Sequence, residues 1–220
     1  MLLDTLKGKL DRHARNDPAL FARLGLGTTD REIEAFRAKR GGLFGVRTGR
    51  RYFDWAKRGM LWEPTSEWAF SPNIVTNEGL AYVIDVAFRE VADIAPWYAV
   101  IYTDSGTPTP AAGDTYAVPA FVEADGGDLD ETVRQAWVDG APSGTTTRSV
   151  SGGAVTYTGD ASFNAAGAAL LGGGTAATTL ADTAGGGTLY AASNFGSEVP
   201  MTLDATVDVT YSLTAADDGA

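Results

Sequence analysis

The chain has 220 residues and no cysteine, which allows one domain plus an appendage and excludes disulfides, zinc–thiolate sites, iron–sulfur clusters and thiol nucleophiles. Its formal net charge of −11 is unevenly laid out: residues 1–59 hold 14 of the 17 Lys+Arg but only 7 of the 28 Asp+Glu, about +7, and the remainder stands at about −18. A basic arm ahead of an acidic body with few chemically versatile residues points to a structural or binding protein rather than an enzyme.

Residues 1–41 read as helical. Leu2, Leu3, Leu6 and Leu10 recur at spacings of three and four, with Lys7, Lys9, Arg12 and Arg15 on the other faces. Asp17-Pro18 restarts a helix carrying Leu20, Phe21 and Leu24. Thr29-Asp-Arg-Glu32 is a capping box ahead of Ile33 and Phe36, and Gly41-Gly42 ends that element. Helices this short need a packing partner. Residues 43–51, rich in Gly and Arg, read as a flexible basic linker, so the expected division is an arm over 1–50 and a body over 51–220.

Strand character begins at Tyr52, Phe53 and Trp55, turns at Lys57-Arg58-Gly59, and returns through Met60, Leu61 and Trp62 as a hairpin. A short strand follows over Glu67 to Phe70. Asn77-Glu78-Gly79 opens the one clear helix of the body, with Leu80, Val83, Ile84, Ala87 and Phe88 as its apolar stripe. Trp97 to Tyr102 is a continuous strand run, and Thr103 to Thr115 is a loop. Further strands are expected over Thr132–Val138, Ala154–Thr158, Ser162–Leu171, Thr188–Phe195 and Thr206–Leu213, the last alternating Val207, Val209, Tyr211 and Leu213 against polar neighbours. Glycine triplets at 172–174 and 185–187 punctuate them. The expected fold is mainly β, a jelly-roll-like β-sandwich with one internal helix behind a basic helical arm.

The sequence offers little chemistry. The sole histidine, His13, lies in the arm, without a nucleophile in view, and reads as a solvated residue. Asp125-Gly-Gly-Asp128-Leu-Asp130-Glu131 has calcium-loop composition but the wrong register, and reads as a solvated acidic loop. Neither a phosphate loop nor a dinucleotide fingerprint occurs. No cofactor and no metal are expected. The start meets Asp4 before any apolar run, and no apolar stretch nears the ~20 residues of a membrane span, so a soluble chain without signal peptide or membrane partner is expected. Arg37, Lys39, Arg40, Arg47, Arg50 and Arg51 are the candidate anchoring cations. Asp4, Asp11, Asp17, Asp30, Glu32 and Glu34 dilute the charge of the arm, and no aromatic platform is interleaved in its helices, which favours an acidic protein surface over nucleic acid as its partner. Trp97, Tyr98, Tyr102 and Trp137 are the candidate subunit-interface residues.

Four segments carry a family resemblance: Asn73 to Leu80, Trp97 to Tyr102, Thr109 to Thr115, and Val207 to Ala216, which ends in Leu-Thr-Ala-Ala. In this order, across most of residues 60–220, they resemble a group of tailed-bacteriophage virion proteins. The resemblance implies a capsid decoration, or cement, protein: a homotrimeric β-sandwich on the capsid exterior, bound to the major capsid protein and without an active site. A tail- or head-fibre module that binds a host receptor or glycan is the alternative expectation.

Overall fold

A computed structural model describes residues 42–54, 59–144 and 147–216. Eleven strands and one helix follow in chain order: β1 Gly42–Asp54, β2 Gly59–Pro64, β3 Ala69–Pro72, β4 Ile74–Val75, α1 Asn77–Phe88, β5 Trp97–Thr103, β6 Ala136–Trp137, β7 Thr147–Ser151, β8 Val155–Thr158, β9 Phe163–Gly172, β10 Thr188–Met201 and β11 Ala205–Ala216. They form two antiparallel sheets. The first has six strands in the order β2-β1-β11-β7, with β3 beside β2 along the outer edge of β1 and β8 beside β7 along the outer edge of β11. The second has five, β4-β10-β9-β5-β6.

The inner faces of the two sheets make one core. Phe44, Val46, Val207, Val209 and Tyr211 of the first sheet meet Ala99, Ile101, Ala168, Leu170 and Ala191 of the second. The far side of the second sheet is also covered. Tyr98, Val100, Tyr102, Ala169 and Leu171 lie beneath Tyr116 and Phe121, which the long segment between β5 and β6 folds over them. This double burial explains the sequence of β5. A strand buried on both faces has no polar side to alternate with, so it reads as an unbroken apolar run.

The segment expected to be a flexible linker is instead a central strand. Residues 43–51 lie within β1, which pairs with β11 from Gly42↔Leu213 to Arg50↔Ala205, and the boundary expected at residue 50 falls inside it. The physical reason is a period of two hidden by its outward residues. Phe44 and Val46 point into the core opposite Tyr211 and Val209. Gly45 and Arg47 face the other way, where each has a specific neighbour. A Cβ at Gly45 would stand 2.7 Å from the Phe70 ring, so any larger residue would have to displace that ring. Arg47 is neutralised by Asp208 at 2.7 Å, with its guanidinium carbon 4.6 Å from the centre of the Trp68 ring. The hairpin expected after Tyr52 is present as β1 and β2, paired through Phe53↔Met60 and Asp54↔Gly59. The helical arm expected over 1–41 lies outside the described residues.

Candidate interaction surface

α1 begins at a well-made cap. The Thr76 side chain accepts a hydrogen bond from the Gly79 amide at 2.9 Å, and its hydroxyl donates to the Leu189 carbonyl. Glu78 turns inward and accepts from two backbone amides, Tyr116 at 2.9 Å and Leu189 at 2.7 Å. Gly79 lets the helix touch β10: a Cβ there would stand 2.4 Å from the Tyr190 carbonyl oxygen. One turn on, Tyr82 packs edge-on against Trp97 at 5.2 Å and accepts from the Ile94 amide at 2.7 Å, while its hydroxyl donates to Asp93.

The face of α1 that meets the body therefore carries Glu78, Gly79 and Tyr82, with half-buried Asp85 and Val86 after them. The apolar stripe lies on the opposite side. Leu80 is 51% exposed, Ile84 55% and Phe88 82%, with Val83 and Val91 also exposed beside them. A surface helix ordinarily turns its apolar stripe to the core and its polar face to water. Here the orientation is reversed, because contacts with β10 and β5 hold the polar face in. The result is a contiguous apolar strip on the outside, the kind of surface that marks a protein contact.

The most chemically suggestive cluster lies elsewhere. Arg134 is buried against Glu123, with side chains only 2% and 6% exposed. Its Nε lies 2.9 Å from one Glu123 oxygen and one terminal nitrogen lies 2.6 Å from the other. The remaining donors reach the Tyr116 hydroxyl at 2.8 Å and the carbonyls of Asp182 at 2.8 Å and Ala177 at 3.2 Å. Tyr116 in turn donates to the Asp182 carboxylate at 2.8 Å. Burial pushes the Glu123 carboxyl up, against the pull of Arg134. Burial also opposes the charge on Arg134, but its bonds to Glu123 and Tyr116 override this and hold its pKa above the usual guanidinium value. The Tyr116 hydroxyl bond holds Asp182 below the usual carboxylate range.

An open cavity of about 370 Å³ adjoins this cluster, lined by Tyr116, Phe121, Glu123, Arg134 and Asp182 among others. Its charged groups are already committed to one another. The donors of Arg134 end on Glu123, the Tyr116 hydroxyl and two backbone carbonyls. The cluster pins the segment before β6 to the segment between β9 and β10, closing the cover over the second sheet. Sequence reasoning passed over Arg134, whose partners lie at distant positions; its rarity as one of three cations after residue 59 was the available signal.

Each anchoring candidate within the described residues has a partner in its own fold. Arg47 binds Asp208, Arg50 binds Glu63 at 3.2 Å and Arg51 binds Asp130 at 3.2 Å. Arg37, Lys39 and Arg40 lie outside the described residues. The four interface candidates all make ring or core contacts within the chain. Tyr98 and Tyr102 belong to the second core, with Tyr102 stacked on Phe121 at 4.4 Å. Trp137 stands edge-on to Tyr211 at 5.8 Å, and half-buried Trp97 sits between Tyr82 and Tyr190. Much of their apolar surface is used within one chain: β5 is covered on both faces, and Trp137 packs into the core between the sheets.

The acidic run at 125–131 folds as a turn, with the Gly127 amide on the Asp125 carboxylate at 2.7 Å, and its later members bind the fold: Asp130 pairs with Arg51 and Glu131 accepts from the Thr158 amide at 2.9 Å. Among the described residues no three His, Cys, Asp or Glu side chains are grouped to hold a metal ion, and no helix is long and apolar enough to cross a membrane. No family model, curated protein or solved structure matches the chain.

Proposed function

We propose that the chain is a structural protein of a tailed-phage particle, a decoration protein that binds the major capsid protein on the capsid exterior and works as a homotrimer of jelly-roll type, without catalytic activity or cofactor. The observation that carries this reading is the reversal of α1. A body that spends its polar helix face on internal contacts and leaves Leu80, Ile84 and Phe88 outside presents a face to be covered by further polypeptide, which suits a protein that works in an assembly.

The charge layout supports the same reading. In the described residues the arginines of β1 are taken up by Asp208, Glu63 and Asp130, which leaves Lys57, Arg58 and the net positive charge of residues 1–41, nine Lys+Arg against six Asp+Glu, as the basic character of the N-terminal part. A basic segment on an acidic body suits fast, salt-sensitive docking onto an acidic shell, and the body itself repels nucleic acid and anionic membranes. Repeated copies on a symmetric lattice add avidity.

The test is co-sedimentation of the purified protein with undecorated capsid shells, across salt concentrations, alongside a glycan array. Saturable binding to shells that weakens with salt supports the proposal. Binding to host glycans with none to shells would favour a fibre module and refute it.

A further inference from the structure

We propose that the apolar face of α1 is covered by residues 1–41 of the same chain, whose leucine stripe seats on Leu80, Ile84 and Phe88 and leaves its cations facing outward. The proposal rests on the reading of α1 as a docking face and names its occupant.

The first argument is where the chain enters the fold. Leu43 lies opposite Pro72 in the pairing of β1 with β3, and the chain passes from Pro72 through β4 to the Thr76 cap of α1. The start of β1 therefore lies beside Pro72, four residues ahead of the Thr76 cap. α1 is about 18 Å long, at 1.5 Å per residue, and 41 preceding residues are ample to lie along it even when fully helical.

The second argument is complementarity. Leu2, Leu3, Leu6 and Leu10 read as one apolar stripe at helical spacing, and a helix this short needs a packing partner to be stable in water. α1 offers an apolar strip of matching kind, repeating at helical spacing, so the two suit helix-on-helix packing.

The third argument is charge. Residues 77–96 carry Glu78, Asp85, Glu90 and Asp93 against Arg89 alone, and Asp85 already holds Arg89 at 2.8 Å. The last turn of α1 has no basic residue, and the one cation at its C-terminal end is the cap residue Arg89. A second copy of α1 would bring the same acidic rim against itself. Residues 1–41 bring an excess of positive charge. Seated by its leucines, the segment would turn Lys7, Lys9, Arg12 and Arg15 away from α1, giving the acidic body one basic side.

The chain contains no cysteine, so a single introduced thiol reports on this face cleanly. Ile84→Cys and, separately, Val83→Cys are made in the full chain, with circular dichroism to confirm folding. The rate of labelling by a bulky maleimide is measured in each, with and without Leu3→Ser, Leu6→Ser and Leu10→Ser. The expected result is labelling at least about tenfold slower when the leucines are intact, the equivalent of about 1.4 kcal/mol of docking, and unchanged over about a hundredfold dilution. Equal rates with and without the leucines would overturn the proposal, as would protection that disappears on dilution, which would seat a second copy there instead. No capsid is present in this assay, so its failure leaves the decoration reading standing, and failure of shell binding leaves this proposal standing.

Discussion

The Arg134–Glu123 cluster and the outer face of α1 reverse the usual expectations of where function lies. The first has a buried ion pair, two shifted carboxylates and an adjoining cavity, the marks by which a reactive site is commonly sought. Its groups are bonded to one another and to backbone carbonyls, so they tie together the segments that carry them. The second has no titratable group of note, only aliphatic and aromatic side chains in water. Completeness is what separates them: a satisfied network needs no partner, and an apolar strip held outward by its own helix does.

The sharpest way to break this contrast is Arg134→Met. It leaves Glu123 buried without its cation, and a loss of about 3–5 kcal/mol in urea unfolding is expected; a loss near zero would mean that the pair is not a structural clamp. Next comes Gly79→Ala, whose methyl group meets the Tyr190 carbonyl at 2.4 Å. The helix must lift from β10, at a cost of about 1–3 kcal/mol, read as a lowered thermal midpoint. An unchanged midpoint would show that α1 is not seated by that contact.

The pH dependence separates the clamp further. Burial places the folded-state pKa of Glu123 above its unfolded value, so the folded protein binds this proton more readily than the unfolded chain does. Its contribution is thus fully present below the unfolded carboxylate range, ~4.3, and declines as pH rises through the raised native value. The stability of the wild type relative to Glu123→Gln should fall over that window; a difference that rises with pH would reverse the assignment. Asp182 has the opposite sign, its depressed pKa contributing stability that is lost as pH falls. The smallest effect belongs to Phe88→Ser. With 82% of the residue exposed, the unfolding free energy of the body should change by no more than about 0.5 kcal/mol, while binding to shells weakens.

These regions were legible in the sequence to different degrees. The start of α1 at Asn77, its stripe and the alternation of β11 were all readable, because each is written in local periodicity and capping. The direction of the stripe was not. It depends on Gly79 meeting Tyr190 and Tyr82 meeting Trp97, contacts made by strands far along the chain. β1 was misread because Gly45, Arg47, Gly49 and the arginines after it look like linker composition. Its Phe44-x-Val46 alternation needed β11 opposite to become meaningful. The aromatic residues chosen for an interface have the right chemistry for one, but the segment carrying Tyr116 and Phe121 folds over their sheet and encloses Tyr98 and Tyr102 in the protomer. Arg134 had no local signature, since its partners are brought together only by the closing of two long connections.

The central claim is that the outward face of α1 is covered by protein when the chain is at work. Hydroxyl-radical footprinting of the full chain, alone and then bound to capsid shells, tests it directly at Ile84 and Phe88. The account expects both side chains to be shielded in the bound state and modified far more slowly than their exposure on the bare body implies. Modification of Phe88 on the particle at the rate of a freely exposed phenylalanine would contradict it.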